Sequence, residues 1–135
     1  MSIEIGTIGR AELKVLNKHL ASALSQEEGD GFPDVFATAS MIALMELAAS
    51  RALHPLLAEG ELSVGVTVDV THSAPTPAGV TVVAEGIFKG MEGKLYVFDV
   101  VARDPGGEIG RGVHKRAIVS RERLLAGAAK RNVQE

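Results

Sequence analysis

A chain of 135 residues that is 46% hydrophobic and 23% charged carries enough apolar material for one packed core and too little length for two, so a single domain spanning 1–135 is expected and a disordered or fibrous chain is excluded. Fourteen Lys and Arg against seventeen Asp and Glu leave a net charge of −3, which lacks the basic surplus that nucleic acid demands, and no cysteine is present to make a disulfide, a thiolate nucleophile or a sulfur-ligated metal site. The start MSIEIGTIGRAELKVLNKHL has no secretory-signal pattern and no long apolar run follows, so the expected setting is the cytoplasm, with no membrane partner.

The first sixteen residues, with Ile3, Ile5, Leu13, Val15 and Leu16 among Gly and Thr, read as an extended segment. Asn17 to Asp34 is polar and ends in Gly29, Gly31 and Pro33, a loop or short helix closed by breakers. Between Ala37 and Leu57 nearly every side chain is Ala, Met, Ile or Leu, which predicts a helix buried around most of its circumference, with Thr38 and Ser40 as candidate N-caps. From Leu62 to His72 apolar residues fall on even positions and small or polar ones on odd positions, the period of a strand with one buried face. Pro75 and Pro77 end that strand, since neither can donate to a sheet ladder. Further strands are expected over Val80–Lys89, Lys94–Arg103 and Glu108–Val119, with turns at 90–93 and 104–107. A short helix should begin at Arg121. One apolar helix followed by four antiparallel strands is an α+β domain whose sheet curls around the helix. The other sheet face, with Val83, Ile87, Leu95, Val97 and Val101, is apolar enough to expect cover from another subunit.

Within this frame few residues carry chemistry. Glu46 is the sole ionisable residue between Ala37 and Ser50, and no cation stands three or four positions away. A carboxylate on a buried helix needs a distant partner or a shifted pKa, so Glu46 marks either a functional site or a cleft where an Arg or water satisfies it. His72 ends the even-numbered row and should face the same interior as the helix, as a reacting imidazole or as a structural one. Thr38, at the helix start, is either an N-cap or a hydroxyl that meets an oxyanion beside free backbone N–H groups. Eight residues of helix separate it from Glu46, about 12 Å, so contact between them is not assured. Arg116 and His114 share a strand face with Ile118, and a solvated or interface ion pair is the default for Arg116. Gly110 and Gly112 suit a close approach by ligand or backbone. His19, His54 and His114 lack metal-ligand spacing, so no metal is expected, and no G-x-G-x-x-G supports a dinucleotide site.

Four stretches together resemble a known family: Phe32-Pro33-Asp34-Val35-Phe36-Ala37-Thr38, Met41-Ile42-Ala43-Leu44-Met45-Glu46, Thr71-His72-Ser73-Ala74-Pro75-Thr76-Pro77-Ala78-Gly79, and Glu108 through Ala117. The chain is similar to the hot-dog-fold acyl-CoA thioesterases, and within them to the fluoroacetyl-CoA thioesterase group, over roughly residues 30 to 120. The resemblance implies an antiparallel sheet wrapped around a long central helix, hydrolysis of a small acyl-CoA thioester, and a catalytic set placed on Thr38, Glu46 and His72. It further implies a homodimer, or a higher assembly of dimers, with sites at the subunit interface and coenzyme A as part of the substrate instead of a cofactor. Phe32, Phe36, Gly65 and Arg116 are expected to bind substrate, Gly65 by letting the acyl portion near the backbone and Arg116 by meeting phosphates. A non-catalytic acyl-CoA-binding module is the alternative. A hydratase of the same fold is less well supplied, because Asp69 falls on the strand face opposite His72.

Overall fold

The computed structural model describes residues 2–132; Met1 and residues 133–135 of the expected domain lie outside the described residues. Its elements are β1 (Ile8–Lys14), α1 (Thr38–Leu53), β2 (Glu61–His72), β3 (Thr81–Glu92), β4 (Leu95–Asp104), β5 (Gly107–Ser120) and α2 (Arg121–Arg131), with short 3-10 turns at Asn17–His19, Ala21–Leu24 and Glu28–Asp30 between β1 and α1. The strands form one antiparallel five-stranded sheet in the order β1-β3-β4-β5-β2. This is the expected α+β arrangement.

The helix is shorter than the apolar run suggests. Pro55 has no N–H to continue the ladder, and the chain tightens into a 3-10 turn at His54–Leu56. Met41, Leu44, Met45, Ala48, Ala49, Ala52 and Leu53 are buried against the concave sheet together with Val82, Ala84, Phe88, Phe98 and Val100. Close seating is possible because Gly9 and Gly86 pair across β1 and β3 directly beneath Ala48 and Ala49. A Cβ on Gly86 would stand 2.8 Å from the Ala49 Cα, closer than such atoms pack. The expectation of burial around most of the circumference is corrected: Ala43 and Leu47 are exposed and Ile42 and Ser50 half-buried, because a single sheet covers one side of a helix only.

Two strand boundaries also differ. The β3–β4 connection is a tight turn at 93–94, with a bulge between Phe88 and Gly90 instead of a loop over 90–93. In β2 a register shift lies between Gly65 and Thr67, which pair with Arg116 and Lys115, and the extra residue, Val66, is half exposed at 50%. One inserted residue reverses the faces of a period-2 strand. Ser63 and Gly65 therefore share the inner face with Arg116, whereas beyond the bulge Val68 and His72 share it with His114 and Gly110. The regular alternation of apolar letters gave no hint of that switch. On the convex face Glu85 bonds both Arg10 and Arg103, a ladder across three strands that holds the Glu85 carboxyl below its usual pKa, chiefly through Arg10. Those charges help solvate a face that its aliphatic residues alone would leave apolar.

Candidate active site

Two groups of polar side chains flank α1. At its N-terminus Ala37, not Thr38 or Ser40, occupies the cap position, and no side chain caps the helix. Thr38 is thereby released from capping. Its Oγ1 lies 2.8 Å from His72 Nδ1, a hydrogen bond whose direction follows the imidazole tautomer. His72 Nε2 is buried, and among the described residues nothing hydrogen-bonds to it. The chain around them is held from behind: the Phe36 N–H donates to the Thr76 carbonyl, the Ser73 N–H donates to the Ile109 carbonyl, and the fully buried Thr76 donates its hydroxyl to Asp104 at 2.7 Å. This is why the Pro75–Pro77 segment lies beside the helix start. Between them opens a cleft of about 380 Å³, lined among others by Phe36, Thr38, His72, Ala74 and Pro75. The helix N-terminus, with its unpaired N–H groups and positive dipole end, borders this cleft.

The second group surrounds Glu46. Arg116 reaches across from β5 and donates from Nη1 to Glu46 Oε2 at 3.3 Å. The same guanidinium donates through Nε to Ser63 Oγ and through Nη2 to the Ser63 carbonyl, and its Nη1 is 3.1 Å from His114 Nε2. Burial works against the Arg116 charge and the facing carboxylate works for it. Glu46 thus has the distant partner that its apolar helix requires. Only Oε2 is engaged; among the described residues no donor bonds Oε1.

Several expectations change here. Arg116 is not a solvated cation, being 6% exposed, and its donors point at Ser63, His114 and Glu46 instead of outward toward a phosphate. At Gly65 the close neighbour is Glu46: a Cβ there would overlap Glu46 Oε2 and come within 3.1 Å of His114 Cε1. Over Gly110 the close neighbour is the Met41 sulfur, and Gly112 lies against the β2 backbone. Phe36 is a core residue that also lines the cleft, while Phe32 is 49% exposed and outside the cleft lining. Asp69 is exposed on the face of β2 away from His72.

Within one chain the structure brings Thr38 and His72 together and puts Glu46 elsewhere. Helix rise alone separates Glu46 from Thr38 by about 12 Å, and the strand from Gly65, under Glu46, to His72 runs about 20 Å. Sequence reasoning passed over Ser63 and Thr76. Spacing alone put His114 on the face of Arg116, since residues two apart on a strand share a face, but gave it no role. Among the described residues no three His, Asp or Glu side chains gather as a metal site, and no helix is long and apolar enough to cross a membrane.

The comparisons with known proteins agree with this architecture. The family model described as fluoroacetyl-CoA-specific thioesterase matches residues 15–122, beginning earlier than the motifs suggested. The fluoroacetyl-CoA thioesterase of Streptantibioticus cattleyicolor is 44% identical over 95 residues, covering 70% of this chain and 68% of that protein. The solved fluoroacetyl-CoA thioesterase FlK superposes with a TM-score of 0.91 at 34% identity, covering 98% of this chain and 100% of that one. A thioesterase-superfamily member from Thermus thermophilus superposes with a TM-score of 0.85 at 27% identity over 96% of this chain and 93% of its own. On these matches and on the fold they share, the chain belongs to the fluoroacetyl-CoA-specific thioesterase family and is a thioester hydrolase of the hot-dog fold.

Proposed function

We propose that this enzyme hydrolyses a small acyl-CoA thioester, with Glu46, His72 and Thr38 as its catalytic set and with each site shared between two subunits of a homodimer. The observation that carries the reading is the Glu46 carboxylate, held by Arg116 through one oxygen and free at the other. Oε1 supplies the electron pair that attacks the thioester carbonyl, directly or through a water that it deprotonates. The carbonyl oxygen gathers charge at the N-terminus of α1, where backbone N–H groups and the Thr38 hydroxyl donate to it. The C–S bond then breaks, giving the free acid at once on the water path, or on the direct path an acyl anhydride on Glu46 that a water molecule opens to release the acid. A thiol with a pKa of about 8.5 leaves readily as thiolate, so the reaction needs no strong general acid. His72, bonded to Thr38, orients that hydroxyl and passes a proton.

What one chain leaves open supports the dimer. β2 pairs with β5 alone, so twelve residues of edge strand, including Val66 and Val68 at 50% and 41% exposure, offer unpaired backbone groups. Such an edge pairs with another chain unless something blunts it, and pairing with its own copy about a twofold axis gives a continuous sheet. Leu47 and Ala43, on the open side of α1 with Glu46, are apolar residues awaiting cover. In this assembly Glu46 of one protomer faces Thr38 and His72 of the partner subunit, which removes the separation that a single chain imposes. Coenzyme A enters as part of the substrate, no resident cofactor is required, and the enzyme works in the cytoplasm.

Thiol release from acetyl-, fluoroacetyl-, isobutyryl- and benzoyl-CoA by the purified protein tests the reading. Turnover of the short esters is expected. Binding of the esters with no thiol released would leave an acyl-CoA-binding module, and loss of the conjugated absorbance of crotonyl-CoA without release of thiol would indicate a hydratase.

Gly65→Ala offers a second check. The added methyl collides with the far end of the flexible Glu46 side chain and asks only a few tenths of an ångström of the His114 ring, 3.1 Å away, so the fold should survive while the carboxylate is displaced from its seat. Turnover number should fall about tenfold to a hundredfold, with little change in melting temperature. Undiminished turnover would mean that the seat over Gly65 is not the working position of Glu46.

A further inference from the structure

His114 lies at the closed end of the Glu46 group, 1% exposed, and no step described above uses it. Its two ring nitrogens face groups of fixed hydrogen-bonding character. Nδ1 is 2.9 Å from the Thr67 carbonyl, which can only accept, so Nδ1 carries the proton. Nε2 is 3.1 Å from Arg116 Nη1, which can only donate, so Nε2 offers its lone pair. A ring satisfied at both ends in this way is the neutral Nδ1–H tautomer. Burial lowers the His114 pKa, against the opposing pull of the Thr67 carbonyl. The charged groups that face the ring are Arg116 on its own strand, which lowers the pKa, and Glu46 from α1, which raises it; β2 contributes only the carbonyl.

We infer that His114 is a positioning residue for the thioesterase reaction: its bare Nε2 anchors one N–H of Arg116, and the anchored guanidinium fixes the direction of the Glu46 carboxylate. This rests on reading Glu46 as the reacting group. The Arg116 head is held at Nε and Nη2 by Ser63, and its Nη1 is divided between His114 and Glu46. The carboxylate thereby receives a single N–H at Oε2, and Oε1 stays available. Without the imidazole acceptor, the second Nη1 proton would be stranded in a buried site. Turning toward the Glu46 carboxylate, the other acceptor that Nη1 meets, the guanidinium would draw that side chain along. A shift on the order of 1 Å at a reacting atom can cost about a hundredfold in rate.

The test pairs a spectrum with kinetics. In the wild-type protein the imidazole ¹⁵N shifts of His114 at neutral pH should report a protonated Nδ1 and a bare Nε2. His114→Leu should lower kcat about tenfold to a hundredfold and leave KM within about threefold, whereas His114→Gln, which returns an acceptor toward Arg116, should recover most of the loss. The opposite tautomer or a charged ring would overturn the inference whatever the kinetics. So would a Leu variant with wild-type kcat, or a loss that Gln fails to recover, which would mark His114 as packing alone. Should the Leu variant not fold, the tautomer and the Gln variant still decide. If the wild-type enzyme releases no thiol from any ester, the proposed function fails, a result distinct from a wrong tautomer.

Discussion

Replacing Glu46 by Gln should lower kcat for thioester hydrolysis by about a thousandfold or more while the protein stays folded. Gln keeps the length and shape of the side chain, and its amide oxygen can still accept from Arg116 Nη1, so the seat over Gly65 remains filled. What disappears is the negative charge, and with it the electron pair that attacks carbon or takes a proton from water. Because Glu46 is half-buried and not a core residue, the cost to stability should be small. Thiol release from the best short-chain ester, measured beside circular dichroism and a melting curve, gives the answer. Activity within tenfold of wild type, in a folded variant, would remove Glu46 from the chemistry and leave the Arg116 contact as a structural ion pair.

The second large effect is a recovery. Glu46→Gln and His72→Ala should each be nearly inactive alone, yet unfolding and refolding them together in equal amounts should restore about a quarter of wild-type activity. The reasoning is geometric. If each site takes Glu46 from one protomer and His72 from the partner subunit, a mixed dimer has one site with both groups intact and one with neither. Random association makes half of the dimers mixed, and half of the sites in those are complete. If all catalytic groups of a site came from one chain, every site in the mixture would carry one lesion and nothing would return. The structure motivates the test, since Thr38 and His72 are bonded within a chain while Glu46 sits eight helical residues away among Arg116, Ser63 and His114. A mixture no more active than its components, with mixed dimers shown by mass spectrometry to be present, would overturn the shared site.

The sequence by itself determined the elements and their chemistry. The change from helical to alternating periodicity at residue 60 fixed an apolar helix ahead of an antiparallel sheet, because burial of a stripe or of a face leaves that mark on any chain. A lone carboxylate in an apolar helix had to have a distant partner, because solvation of charge in a core admits few alternatives. Which partner it has was decided only in three dimensions. Arg116 stands seventy residues from Glu46, and nothing local to either predicts that pairing. The bulge at Val66 is equally illegible in the letters, since a period-2 pattern continues unbroken through it, yet it turns Ser63 and Gly65 inward to receive Arg116 and Glu46. Thr38 read as a cap by its position and became a hydrogen-bond partner of His72 because the loop pinned by Thr76 and Asp104 brings the imidazole to the helix start. Local sequence records what each element must bury, whereas which polar groups meet depends on register, bulges and loop closure, and those are set by the packing of the whole chain.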